Sequence, residues 1–281
     1  MSVPEGAHST LDLSDLISRL RKIRATVAAF DKMMEVDSDP EALGKKLLII
    51  EQQIREYQAT VVEKSMNAWL SQTKAEINRR RNEFSSRLFA SLEQMLRDRG
   101  IVLRGSYPLL TAGLFALDFD FTGGKAEVWY GPKKELLGTT KLSAVEIVKR
   151  INTFIRIAEA PELTEEKFRE LLDSAYERAK AISKKSGKIP IVSILAEMAM
   201  LVQSPSFKSD PTKDKFAGYG RAQFSYHLYK LARGRYQDKL VRLEIAPMSL
   251  TRNRANHLWV PTNESGEGHV YAYLSFEEVK E

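Results

Sequence analysis

Two aspartates one residue apart are the first feature of this chain that could do chemistry. Asp118 and Asp120 alternate with Phe119 and Phe121, and Phe115 and Leu117 carry the alternation upstream. An apolar residue at every second position is the period of a half-buried strand, so both carboxylates face one side of it. Carboxylates so placed can hold a divalent cation. Thr122-Gly123-Gly124 then turns the chain, and Lys125 to Tyr130 returns as the partner strand. The plainer reading of the same residues is a hairpin whose outward positions, Asp118 and Asp120, face Lys125 or Glu127 across the strands.

Upstream stands Gly105-Ser106, with eleven residues between it and Asp118. A Gly-Ser turn, a short helix, and a strand with two alternate carboxylates form the signature of the nucleotidyltransferase superfamily, which this stretch resembles. The resemblance implies a metal-dependent phosphotransfer enzyme. Asp118 and Asp120 would be Mg²⁺ ligands, Glu127 the third carboxylate, and the Gly-Ser turn would meet the triphosphate. The departures are Arg104, where the family has an apolar residue, and Pro108 within the segment expected to be helical. A restriction-type nuclease core could reuse the same three carboxylates. The lysine it needs two residues after the Glu is replaced by Trp129.

Other chemistries find little support. The chain has no Cys, which removes disulfides, thiol nucleophiles and Cys-containing zinc sites. Its four histidines, His8, His227, His257 and His269, have none of the close spacings of zinc sites. No Walker A loop, dinucleotide-binding glycine pattern or Gly-x-Ser-x-Gly elbow is present.

Positive charge gathers near the carboxyl end. Between Phe207 and Leu258 stand eleven Lys and Arg against four Asp and Glu, an excess of +7, whereas the whole chain carries +6. Tyr219, Tyr226, Tyr229, Tyr236 and Trp259 are interleaved with these bases. Cations so concentrated would neutralise phosphates and release counterions from a nucleic acid, with duplex DNA the expected partner. A helix from about Gly220 to Gly234 places Phe224, Leu228 and Leu231 toward a core. Gln223, His227 and Lys230 then share the outer face, with Arg221 and Arg233 at its ends. Arg235 follows, and Arg252 and Arg254 sit in a basic loop between two strands. These eight residues are the candidate nucleic-acid contacts. Helix, helix, then strands joined by a basic loop is the order of a winged-helix-like module.

The remaining elements must position these groups. Leu13, Leu16, Ile17, Leu20, Ile23, Val27 and Phe30 draw an apolar stripe on a first helix. Asp39-Pro40 opens a second. No Gly or Pro then interrupts the chain between Gly44 and Gly100, so the pattern predicts one helix of some 60 residues, about 90 Å long. Its stripe must be covered, either in a helical hairpin packed on its own chain or in an elongated coiled-coil-like arm for a partner protein or a second copy. Ser143 with Glu146 predicts a capping box, and Thr164 the start of a further helix.

The expected architecture is α+β, with a helical arm over 1–100, a small α/β block over 101–187 and a basic module over 188–281. At 43% hydrophobic and 28% charged residues the composition is that of an ordinary globular protein. No apolar run approaches the roughly 18 residues of a membrane span. No leader pattern opens the chain, so the expected location is cytoplasmic with no membrane partner. The preferred reading is a non-enzymatic, DNA-binding accessory subunit of a larger assembly that needs no cofactor. The alternatives are the Mg²⁺-dependent enzyme and a purely structural coiled-coil adaptor.

Overall fold

The computed structural model describes residues 13–35, 39–55, 60–183, 188–233 and 239–278. The chain divides into two compact units. One is the chain up to Ala90 with the Thr122–Gly124 turn, and the other is the rest.

The first unit contains α1 (Leu13–Glu35), α2 (Pro40–Arg55) and α3 (Thr60–Arg97) as far as Ala90. Asp39 caps α2, its Oδ1 accepting from the Glu41 N–H at 3.1 Å. Leu43, Leu47 and Ile50, at i, i+4 and i+7 on α2, bury their side chains with Phe30, Leu70 and Ile77. Two buried acids of α2 meet bases of α3: Glu51 with Lys74 at 2.5 Å and Glu41 with Arg81 at 2.7 Å. The lower-numbered acid takes the higher-numbered base, so α2 and α3 run antiparallel.

The single long helix expected over 40–99 is therefore two helices, with residues 56–59 outside the described residues. An apolar stripe gains stability only when covered, and here α1, α2 and α3 cover one another. The three successive arginines diverge as a helix requires. Arg79 pairs with Glu76 and Glu83, Arg80 with Glu76, and Arg81 with Glu41. The two guanidinium groups beside it hold the Glu76 carboxyl down at about 2.

The second unit begins with a five-stranded antiparallel meander. Its strands are β1 (Leu103–Ser106), β2 (Leu109–Ala112), β3 (Phe115–Asp120), β4 (Lys125–Tyr130) and β5 (Glu135–Lys141), paired in that order. Phe115, Leu117 and Phe119 on β3 oppose Tyr130, Val128 and Ala126 on β4, and all six are buried. The alternation in sequence is thus the alternation of faces.

Helices α4 (Ala144–Ala158), α5 (Glu165–Ser183), α6 (Ile191–Leu201), α7 (Pro205–Ser209) and α8 (Arg221–Arg233) follow, with β6 (Ile189–Pro190) before α6. Ser143 stands at the N-cap of α4, but its side chain makes no capping bond. Thr164 does cap α5, its Oγ1 accepting from the Lys167 N–H at 3.2 Å. The chain closes with β7 (Lys239–Ile245), the short helix α9 (Met248–Thr251), β8 (Leu258–Pro261) and β9 (Gly268–Glu278). In this second sheet β9 is central, with β7 along one edge and β8 then β6 along the other.

One core joins these elements. Phe168 and Leu172 of α5, Ile194 and Met198 of α6, Phe224 and Leu228 of α8, Leu258 of β8 and Leu274 of β9 pack together. It spans the boundary expected at 187–188, so the middle block and the carboxyl-terminal module share one interior. The mixture of helices and antiparallel sheets is α+β. Among the described residues no helix is long and apolar enough to cross a membrane.

Candidate nucleic-acid interface

Helix α8 was the expected reading surface, and the structure covers most of it. Phe224 to Tyr229 are all buried, six consecutive residues that together face every direction around a helix. Strand β8 closes one side, where buried Ser225 donates its hydroxyl to the Trp259 carbonyl at 2.6 Å. His227 does not share an outer face with Gln223 and Lys230. Its Nε2–H donates to the Ala158 carbonyl at 2.7 Å, and its Nδ1 accepts from the Tyr219 hydroxyl at 2.8 Å. A carbonyl can only accept, so the ring is the neutral Nε2–H tautomer. The spacing of three and four that suggested an exposed row was overridden by β8 and α4 packing from outside.

Burial pushes the His227 pKa below its ordinary 6.5. Below that value the unfolded chain takes up a proton that the folded chain refuses, so stability is present above it and lost as the pH falls. Wild-type protein should lose urea resistance between about pH 7.5 and about pH 5.5. A His227→Gln variant, which keeps a donor for Ala158, should show a flatter decline. Equal declines would contradict this role.

The other expected contacts are dispersed. Gln223 accepts from the Gly220 N–H at 2.9 Å. Arg221 points into the protein. It bonds Glu135 at 2.6 Å, the Arg254 carbonyl at 3.0 Å and the His257 carbonyl at 2.5 Å. Lys230 lies 3.4 Å from Glu159 and 5.3 Å above the Tyr226 ring. The Arg233 side chain and all of Arg235 lie outside the described residues.

The local charge excess is answered from elsewhere in the fold. Lys215, Arg221, Lys230, Arg242 and Arg254 all sit in ion pairs, with Asp210, Glu135, Glu159, Glu277 and again Glu135. Three of those four acids come from outside the Phe207–Leu258 stretch, so counting along the chain could not find them. Among the described residues these five bases are thus engaged by acids rather than gathered on one unpaired surface.

The loop after β7 is also exposed. No Asp or Glu occurs between Ala246 and Asn263. Pro247, Met248, Ser249, Thr251, Arg252, Asn253, Arg254 and Asn256 all face solvent, and Met248 is 83% exposed. Arg252 has no ion pair among the described residues. The loop is ordered by its own bonds. Leu250 N–H donates to the Pro247 carbonyl at 2.9 Å, Asn253 Oδ1 accepts from Ala255 N–H at 2.9 Å, and His257 Nδ1–H donates to the Leu250 carbonyl at 3.1 Å. Its start is tied to β9 by Ala246 N–H on the Val270 carbonyl at 2.7 Å. Its end is held by Glu135, which grips Arg221 and Arg254 together. No known protein family, curated protein or solved structure matches this chain. The site is therefore read from its own geometry.

The resemblance implies Mg²⁺ at the carboxylates near Gly105-Ser106. Gly105 and Ser106 belong to edge strand β1, and the segment before Asp118 contains β2 in place of a helix. Asp118 faces Glu127 across β3 and β4, and Asp120 faces Lys125. Asp118 is ion-paired with Lys133, and Glu127 accepts from the Trp129 indole at 3.2 Å. Among the described residues no three Asp, Glu or His side chains are grouped to hold a metal. These residues do not fit the metal, and their arrangement is that of an outward hairpin face.

Proposed function

We propose that this protein is a non-enzymatic, nucleic-acid-binding accessory subunit that meets duplex DNA through the loop Ala246–Asn256. The observation that carries the reading is that loop itself: acid-free, internally hydrogen-bonded, exposed, and rich in Arg, Asn, Ser and Thr. Arg252 and the outward part of Arg254 would neutralise phosphates. The hydroxyl and amide side chains would bond phosphate and sugar oxygens. Exposed Met248 beside Pro247 has the character of the apolar wedges that architectural proteins press between base steps.

The order of elements supports a winged-helix-like reading of the carboxyl-terminal part. Helices α5, α6 and α8, with β6 before α6, precede β7, β8 and β9, and the basic loop joins β7 to β8. The third helix of such a module would enter the major groove. Here its covered surface leaves the loop as the contact. The helical unit is proposed to mediate association with a protein partner. Leu48, 64% exposed on α2, and Ile49 beside it lie outside its core and support that role.

Fluorescence anisotropy of a labelled duplex across salt concentrations tests the reading. Wild-type affinity should fall steeply with salt. Arg252→Ala should weaken binding and reduce the slope of log K against log salt by about 1. Arg242→Ala, whose guanidinium is paired with Glu277, should change neither. Absent binding, salt-independent binding, or an unchanged Arg252→Ala slope would reject it.

A further inference from the structure

We infer that the second unit also carries a binding cleft for a small organophosphate of mononucleotide size. A cleft of about 540 Å³ is lined by the segment that follows α3, the β1–β2 hairpin, α4, α8 and the β8–β9 turn. That volume lies within the roughly 300–1,000 Å³ of small-molecule sites. Its lining divides by chemistry. Ile101, Leu114, Phe115 and Ile155 give an apolar wall, and Arg99, Arg104 and Lys230 give positive charge.

The charges are not equivalent. Lys230 is already balanced by Glu159, whose carboxylate also takes the Tyr226 hydroxyl. In that trio, burial of the Tyr226 ring, with the Glu159 carboxylate beside its hydroxyl, raises the phenol's pKa above its ordinary range. Arg99 spends one N–H on the Met95 carbonyl at 2.6 Å and has no ion pair among the described residues. Arg104 is exposed on β1, opposite Thr111 of β2, and likewise has no ion pair there. The lining also holds the Glu264 carboxylate, so three bases face two acids; with Lys230 set against Glu159, a surplus of one positive charge comes from the Arg99 and Arg104 guanidinium groups, with the hydroxyls of Thr111 and Ser265 in the same lining. Planar guanidinium forks match phosphate oxygens, and arginine keeps its charge at every physiological pH. An apolar wall facing such a pair suits a molecule with a phosphate at one end and an organic body at the other.

Calorimetric titration of the full chain with AMP, adenosine and inorganic phosphate is the test. AMP should bind saturably with Kd below about 1 mM. Adenosine should bind about tenfold more weakly or worse, and inorganic phosphate should compete with AMP. Arg104→Ala should weaken AMP about tenfold, and Arg104→Lys, which keeps the charge and loses the fork, should weaken it measurably. Arg252→Ala should leave AMP affinity unchanged, which separates this cleft from the proposed DNA contact. The inference is overturned if AMP shows no saturable binding, if adenosine binds as well as AMP, or if both Arg104 variants bind AMP like wild type.

Discussion

Glu135→Ala should lower the free energy of unfolding by about 3 kcal/mol. Glu135 stands at the start of β5, and its side chain is only 6% exposed. It is the one carboxylate shared by Arg221, 86 residues away, and Arg254, 119 residues away. Removing it leaves the Arg221 guanidinium, 17% exposed, with two carbonyls and no counter-charge. Breaking one side of a buried pair costs about 3–5 kcal/mol, and the surviving carbonyl bonds place this case at the low end. Replacing both partners by apolar residues, as in Glu135→Leu with Arg221→Met, should recover most of the loss, because an apolar pair of similar volume needs no desolvated charge. Urea unfolding of the single and double variants measures both effects. A loss below about 1 kcal/mol for Glu135→Ala would show that the network is not the anchor of the loop.

Gly131→Ala should cost as much or more, for a steric reason. Gly131 follows β4 with φ of +72°, a left-handed conformation that a side chain disfavours by roughly 1–2 kcal/mol. A Cβ there would fall 2.6 Å from Trp259 Cε3 and 2.7 Å from Cζ3, well inside contact distance. The indole cannot retreat easily. It packs edge-on against Tyr130 with ring centres 5.4 Å apart, and the Trp259 carbonyl is held by Ser225. Forcing an extra carbon into such packing adds about 1–3 kcal/mol. Gly131→Ala with Trp259→Phe should relieve the clash and leave the backbone strain, so it should recover part of the loss relative to Trp259→Phe alone. Thermal and urea unfolding report these differences. A Gly131→Ala protein within about 1 kcal/mol of wild type would contradict the tight approach of β4 to β8.

These two positions mark the limit of what the chain discloses by itself. Local periodicity placed the β3–β4 hairpin from Phe115 to Tyr130, because strand alternation and the Gly123-Gly124 turn are properties of neighbours. It likewise placed the inner row of α8 at Phe224, Leu228 and Leu231, and the Thr164 cap. It misjudged α8's outer row, because whether a second layer covers a helix depends on strands that arrive 30 residues later. Residues 40–99 read as one helix because no Gly or Pro separates α2 from α3, and the one-position offset of the apolar stripe between Val61 and Val62 reads equally as a stutter in a continuous coiled coil. Strands β1 and β2 went unseen, since Arg104, Gly105 and Ser106 carry no alternation. The candidate loop was half legible. Arg252 and Arg254 stood out by charge, with the loop Asn253 to Asn256 around them, while Met248, Ser249 and Thr251 did not. The absence of any acid from Ala246 to Asn263 was the signal that could have found them. Glu135 gave no signal, because a lone acid in a strand is identified as an anchor only by the distant bases it meets.

The most direct measurement places a photo-crosslinking side chain at Met248 in one protein and at Lys230 in another, each mixed with a labelled duplex. If the acid-free loop is the contact, irradiation should crosslink the duplex from position 248 and not from position 230, and added salt should abolish the product. Crosslinking from 230 alone, or from neither position under conditions where the duplex is bound, would contradict the loop as the nucleic-acid contact.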